Sequence, residues 1–563
     1  MNLVPLPRQF TATTGTVSFK KGWALDAPDD LAKLECLADL KFLKRGARGP
    51  LRLRVDPELE GCETDEDYRL ALDPGLIELT GRTRTGVIRG IQTLRQLARA
   101  GECEAGVIDD CPTLELRGMH LDLKTQMHNF DYILRIVDRL AELKYNTLLI
   151  EWEDKFPYSR RPEVVHPDAL NREQVAKLKA HCAKYAIEII PLVQTFAHLE
   201  FALSLDRYAS LRETADYSGE ICPMKPEAME LVRDLVRDIV AGHPESRYIH
   251  LGADESWRMG TCPQCRANVE REGKSAHFID HVLKVIPLVL EAGKTPIIWA
   301  DMLASHPEAI SSLPREVVLL DWQYHNFGVY AEQMHAWGEV EPITAESAAR
   351  ASDTFKSEYA KFVVGRHPSD PRLVRSFPYV EYFKEKGFEV ITGPAIRCWP
   401  DPSTNPNHFT HVPNIWGFAA TAAIDGALGT VLTSWAVRRC PWPTTWYGIA
   451  LGAETMWNPN EGVRDDFDAR FMMSQYLVGD ASFPKVFAWL DRPREEDRFD
   501  HCAPTYDSKQ RRWKEKDVAE ALAEKDKAGL LAESAAPMTA AKEAFDRSHK
   551  AVEAFRGLFG EAQ

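Results

Sequence analysis

From Leu114 to about Trp435, short apolar runs alternate with longer amphipathic stretches, and this rhythm limits the fold more than any other feature. Runs suited to buried strands begin near Leu116, Thr147, Ile187, Tyr248, Pro296, Val317, Phe388 and Thr430. The stretches between them carry helical signals. Pro226 suits a first helical turn, and Leu231, Val232, Leu235, Val236 and Ile239 then form one apolar stripe. Eight strands joined by helical crossovers predict an α/β fold, a closed parallel (β/α)8 TIM barrel. Polar and aromatic residues gather where the runs end: Glu151 to Asp154, Gln194 to Glu200, Asp254 and Glu255, Trp299 to Asp301, Asp321 to Tyr324, and Trp435. In such barrels the carboxyl ends of the strands form the active face.

The stretch I-H-L-G-A-D-E-S-W, Ile249 to Trp257, stands at the centre of this pattern. Neighbouring residues of a strand point to opposite faces, so Asp254 and Glu255 share a target only if the strand ends and the chain turns. Gly252 and Ser256 suit that turn. Two acids beside an aromatic residue suit general-acid work on a sugar, against the plainer alternative of a solvated loop.

The flanks read differently. Tyr68 to Leu79 predicts strand, turn and strand about Asp73-Pro74-Gly75, and Thr85 to Ala100 predicts a helix stopped by Gly101. After Trp457 the chain is charged and helical, most clearly over Asp517 to Ser534 and Met538 to Leu558. The expected organisation is a small α/β domain at 1–112, the barrel at 113–456 and a helical region at 457–563. The net charge of −15, without a long basic run, argues against nucleic acid or an anionic membrane as partner. No apolar run approaches the roughly 20 residues of a membrane span, and the first ten residues lack a signal-peptide core, so a cytoplasmic location is expected. Eleven scattered cysteines predict reduced thiols in preference to a disulfide framework.

Several segments resemble glycoside hydrolase family 20, the β-N-acetylhexosaminidases, and look closest to its hexosaminidase D-like branch. They are R-G-M-H-L-D-L-K (Arg117 to Lys124), L-I-E-W-E-D-K-F-P-Y (Leu149 to Tyr158) and I-P-L-V-Q-T-F-A-H-L-E-F (Ile190 to Phe201). H-L-G-A-D-E (His250 to Glu255), I-I-W-A-D-M-L (Ile297 to Leu303) and L-T-S-W (Leu432 to Trp435) follow in the family's order. The first unit also resembles the small domain that precedes the family's barrel.

The resemblance implies exo-acting hydrolysis of terminal β-linked GlcNAc or GalNAc by a substrate-assisted, retaining mechanism, the exception to the two-carboxylate rule. It makes Glu255 the general acid and Asp254 the residue that orients the sugar's acetamide. It makes His198 a support for the acid, backed by Glu153 or Asp154, whose charge would hold a proton on Glu255. Trp299 and Trp435 become walls around the acetamide, and Arg117 a ligand of sugar hydroxyls. Asp301, Trp322 and Tyr324 are further substrate-binding candidates by position. Two positions depart from the family pattern. Val437 stands where a glutamate binds sugar hydroxyls, and no tyrosine occurs at Pro394 to Trp399, a place Tyr324 can take. The choice between GlcNAc and GalNAc stays open, with a lean toward accepting GalNAc.

No cofactor or metal is expected. Cys262 and Cys265 have zinc-ligand spacing, but a site needs about four ligands, and Cys222 and a nearby histidine would have to complete it. The expected partner is a glycan bearing N-acetylhexosamine, and a homodimer is compatible. Two rival readings are a catalytically silent glycan-binding barrel and a retaining glycosidase with a protein nucleophile, for which Glu151 or Asp321 could serve.

Overall fold

The computed structural model describes residues 2–477, except 48, 125, 399–400, 402–405, 437–441 and 460–461, together with 506–507 and 512–513. It divides into two compact units, Met1–Arg492 and Pro493–Gln563. The second is described only at the antiparallel pair Tyr506–Asp507 and Arg512–Trp513, and the helices expected over 517–534 and 538–558 lie outside the described residues.

The first unit opens with a six-stranded sheet. Its strands are β1 (Gln9–Ser18), β2 (Ala24–Asp26), β3 (Pro50–Val55), β4 (Tyr68–Asp73), β5 (Leu76–Gly81) and β6 (Glu102–Asp110). The expected hairpin is β4–β5. The expected helix, α1 (Arg84–Arg99), starts at Thr83, whose side chain accepts from the Thr85 amide, and buries Ile88, Ile91, Leu94 and Leu97. Cys62 and Cys111 are joined by a disulfide, contrary to the expectation of reduced thiols. The pairing of β4 with β6 brings these two distant positions together.

Eight parallel strands then close a barrel. They are β7 (Leu116–Asp122), β8 (Thr147–Glu151), β9 (Glu188–Leu192), β12 (Tyr248–His250), β13 (Thr295–Trp299), β14 (Val318–Trp322), β15 (Glu389–Gly393) and β17 (Gly429–Ser434). Between them lie a hairpin, β10 (Arg212–Thr214) with β11 (Tyr217–Ile221), and the short β16 (Ala395–Arg397). Pairing of β17 with both β7 and β15 closes the ring. At that seam a Cβ on Gly429 would lie 1.9 Å from the Leu116 carbonyl oxygen, so only glycine fits.

Side chains alternate between two cores. Leu116, Leu149, Ile190, Leu192, Ile297, Trp299, Val318, Leu320, Ile391 and Val431 fill the barrel. Their strand neighbours, among them Leu148, Ile150, Ile298, Leu319 and Val390, join the larger core with the helices. One covering helix is α2 (Pro226–Gly242), with the predicted stripe buried.

This parity corrects the role expected for Arg117. It lies at the amino end of β7 and is out of phase with inward-facing Leu116. Its guanidinium donates to the Leu114 and Lys144 carbonyls (2.8 and 3.2 Å) and pairs with Glu66 of the first sheet. Arg89 meets the same Glu66 at 2.5 Å. Nearby, Lys144 reaches Asp110 at 2.7 Å. Arg117 therefore joins the small domain to the base of the barrel, at the end opposite the active face.

Burial by itself would raise the Glu66 pKa, but Arg117 and Arg89 hold it at about 2. Its contribution to stability is therefore complete above its ordinary value of 4.5 and is lost as pH falls through about 2. Glu66→Gln leaves two guanidinium groups buried without a counter-charge. It is expected to cost about 3–5 kcal/mol in urea unfolding at pH 7. It should also flatten the fall in wild-type stability below pH 4.5. A loss under 1 kcal/mol would show that the ion cluster does not hold the domains together.

Candidate active site

The strand that carries the acids ends earlier than expected. Beyond His250 the chain turns, and the Gly252 amide donates to Nδ1 of His250 at 3.0 Å. Gly252, Ala253 and Glu255 all have left-handed backbone, with φ of 65°, 71° and 47°. A Cβ on Gly252 would meet Oε1 of Gln194 at 2.0 Å, so any other residue there displaces the Gln194 amide from the turn. Two other non-glycine residues beyond barrel strands share the conformation: Glu153 after β8 (φ 44°) and His198 after β9 (φ 55°). Such backbone costs on the order of 1–3 kcal/mol per residue and persists where the surroundings over-determine it. Here they do. The His198 loop is tied to the acid-bearing strand by the Val193 amide to the His250 carbonyl (2.9 Å) and by Oγ1 of Thr195 to the Leu251 carbonyl (2.6 Å).

The turn lets both acids face one group. Nε2 of His198 lies 3.3 Å from Oδ2 of Asp254 and 3.4 Å from Oε2 of Glu255. Asp254 is buried, and its Oδ1 has no hydrogen-bond partner among the described residues. The Glu255 side chain is 42% exposed and reaches the mouth. The Glu255 amide donates to Oδ2 of Asp301 (3.0 Å), whose Oδ1 accepts from Nε1 of Trp322 (3.2 Å). Asp301 thus pins the catalytic turn to β14.

The protonation of the mouth differs from expectation. Burial lowers the affinity of His198 for a proton, but Asp254 and then Glu255 outweigh it and hold the imidazolium well above the usual range. The His198 imidazole 3.4 Å away in turn lowers the Glu255 pKa, against the expectation that a neighbouring carboxylate would raise it. Both shifts favour a proton on His198 over one on Glu255. Burial and the Asp254 charge push Asp301 up to about 8.

The second-strand acids do not back His198. Glu153 pairs with Nζ of Lys124 at 3.0 Å, and Asp154 pairs with Lys155. The β8 strand ends at Glu151 and the chain winds into a short turn, which aims these carboxylates at lysines. Lys124 sits in the R-G-M-H-L-D-L-K segment, where nothing local marks it as part of the site. Its signal is electrostatic: burial lowers its pKa, but Glu153, Glu200, Glu151 and Asp122 raise it well above the usual value.

The aromatic residues lie together at the mouth. Trp299 and Trp435 have ring centroids 5.7 Å apart, and Nε1 of Trp435 donates to the Tyr324 hydroxyl at 2.7 Å. Trp322 packs on Tyr324 (4.9 Å) and on Trp337 (4.7 Å). Trp337 comes from the long segment after β14 and has no sequence signal, because no motif surrounds it. Val437 lies outside the described residues. Parity also decides between the two carboxylates considered as nucleophiles. Asp321 is out of phase with inward-facing Leu320 and Trp322, so it faces the helices; burial raises it to about 7. Glu151 faces inward but is held by Nε2 of His120 (3.2 Å) and Nε2 of Gln194 (3.0 Å).

A parallel barrel with an acid pair, a histidine and an aromatic wall at its carboxyl face suits acid catalysis on a sugar. The comparisons narrow the class. The family model for the glycosyl hydrolase family 20 catalytic domain matches residues 115–340, and that for domain 2 of the same family matches residues 1–111. The chain belongs to glycosyl hydrolase family 20. It is 31% identical over 218 residues to hexosaminidase D from Homo sapiens, covering 37% of this chain and 45% of that protein. It is 29% identical over 301 residues to a β-hexosaminidase from Akkermansia muciniphila, covering 46% of this chain and 59% of that one. The chain thus spans about half the length of these relatives. The family 20 β-N-acetylhexosaminidase from Streptomyces coelicolor shares the fold, with a TM-score of 0.61 at 19% identity over 85% of this chain and 96% of that one.

His198→Asn tests where the proton is held. The asparagine cannot store it, so Glu255 must hold it with only Asp254 to favour it. The descending limb of the pH profile of kcat/KM should move to lower pH, with a loss of about 10²–10⁴-fold near neutrality. An unmoved limb would show that His198 does not hold the catalytic proton.

Proposed function

We propose that this chain is an exo-acting β-N-acetylhexosaminidase that removes terminal β-linked GlcNAc or GalNAc through a cyclic oxazolinium intermediate. The observation that carries this is the shared position of Asp254 and Glu255. Both face His198, and the alternative carboxylates are turned away or locked by hydrogen bonds. A retaining enzyme with a protein nucleophile needs a second carboxylate about 5–5.5 Å from the acid, on the other side of the scissile bond. Adjacent acids suit a substrate that brings its own nucleophile.

In this mechanism the acetamide carbonyl oxygen attacks C1 as the glycosidic bond breaks. Glu255 gives a proton to the leaving oxygen, and His198 is the store from which that proton comes. Oδ2 of Asp254 faces His198, and its unpaired Oδ1 is free to accept the acetamide N–H and offset the charge that develops on the ring. Trp299, Trp435 and Tyr324 would enclose the acetamide methyl and carbonyl. Glu255 then takes a proton from water as the water opens the ring, and the configuration at C1 is retained. A silent glycan-binding barrel has no use for strained backbone at both His198 and Glu255.

The test uses substrates that differ only at C2. β-Glucosides and β-galactosides lack the acetamide and should be hydrolysed negligibly, whereas a thiazoline analogue of the intermediate should inhibit tightly. Asp254→Asn should weaken that inhibitor and slow turnover together. Glu255→Gln should lose about 10²–10⁴-fold on natural glycans and much less on nitrophenyl sugars, whose leaving groups need no proton. A glycosyl-enzyme trapped by a 2-fluoro sugar on another carboxylate, with no thiazoline inhibition, would replace this mechanism.

A further inference from the structure

Just behind the catalytic turn the fold assembles a group of residues that the chemistry above does not use. Cys262 and Cys265 open helix α3 (Pro263–Glu272), Cys222 follows β11, and Glu213 lies in β10. One ligand atom from each of these four residues lies within 4.8 Å of the others. The Cys222 sulfur is 3.6 Å from that of Cys262 and 3.4 Å from that of Cys265. Tetrahedral zinc with Zn–S bonds near 2.3 Å holds its sulfurs about 3.8 Å apart, close to this spacing. The two-thiol motif legible in the sequence thus becomes four ligands, completed by Cys222 and by a glutamate in place of a histidine. His277, the neighbouring histidine, has its Nδ1 engaged by Asn268 at 2.8 Å.

Glu213 supplies the second, independent observation. It is 2% exposed and has no salt-bridge partner among the described residues. Its Oε1 accepts from the amides of Thr261 (2.8 Å) and Cys262 (2.9 Å), and its Oε2 is buried without a hydrogen-bond partner. A buried carboxylate with an unsatisfied oxygen, placed beside three sulfurs, calls for a cation. Thiolate ligands select a soft divalent ion over calcium or magnesium.

We propose that Cys222, Cys262, Cys265 and Glu213 bind one structural zinc ion. All four positions are filled by protein, so the ion has no open site for chemistry. Its place in the fold gives it a purpose. The β10–β11 hairpin holds the His198 loop, through the Leu199 amide to the Gly219 carbonyl (3.0 Å) and the Ile221 amide to the Phe196 carbonyl (3.1 Å). Cys262 and Cys265 follow directly on the turn that carries Asp254 and Glu255, and the Arg258 amide donates to Oε2 of Glu220 at 3.0 Å. The zinc staples the His198 loop to the acid turn from behind.

The full-length protein, purified without chelator and under reducing conditions, should contain about one zinc per chain by elemental analysis. An organomercurial should release that zinc as the thiols react, and the thermal midpoint should fall. Replacement with Co²⁺ should give the near-ultraviolet charge-transfer band of thiolate ligation and the visible bands of a tetrahedral ion. Cys222→Ala and Glu213→Gln should each weaken zinc retention against a competing chelator. The wild-type measurements stand even if a variant fails to fold. No zinc in the purified protein, combined with no uptake by reduced protein offered Zn²⁺, would overturn the site. So would peptide mapping that finds a Cys222–Cys265 disulfide in the active protein.

Discussion

A protonated imidazole held between two carboxylates is the interaction on which the mouth of this barrel depends. Asp254 and Glu255 are adjacent in sequence, and two charged acids brought onto one target repel each other. Nε2 of His198, within 3.4 Å of both, offsets that repulsion. The arrangement also keeps a proton beside an acid that is itself easily ionised. Reaching it takes left-handed backbone at His198, Ala253 and Glu255. That strain is held in place by hydrogen bonds from one strand end to the next, and those bonds exist because the strands are parallel neighbours in a closed ring.

The barrel sorts chemistry by parity. One side of each strand faces the axis and the other faces the helices, so a shift of one residue changes a role entirely. Asp321 is next to Trp322, yet Trp322 helps line the mouth while Asp321 is enclosed by the helix layer. Arg117 is next to Leu116, yet it leaves the barrel to pair with Glu66 of the first sheet. Position along the strand matters as much as parity. The amino ends serve the joint between domains, and the carboxyl ends serve the site. Together these two coordinates explain why charged residues only a few positions apart in sequence do unrelated work.

Much of this was legible in the sequence. The strand starts follow from apolar runs bounded by polar ends, because a strand buried on both faces needs continuous hydrophobicity. The acid pair, His198, the tryptophans and Tyr324 were legible because each sits at or just beyond a strand end. Lys124 and Trp337 were not. Lys124 matters through its closeness to acids that the fold gathers from the β8 end, Glu151 and Glu153, and from the loop beyond β9, Glu200. Trp337 reaches the site from the turn between two two-residue strands, Gln333–Met334 and Ile343–Thr344, that no motif announces. The disulfide between Cys62 and Cys111 was equally hidden, since spacing says nothing about which strands become neighbours.

The sequence by itself determined the kind of fold, its order of elements and the identity of the central acids, because these depend on local periodicity and on motifs a few residues long. Only the tertiary structure decided which groups face His198, which carboxylates face the barrel mouth and which side chains gather around Cys262 and Cys265. Each of these is a property of distance between residues far apart in the chain. Electrostatic interaction depends on separations of a few ångströms and on burial, and neither is set until the ring of strands has closed.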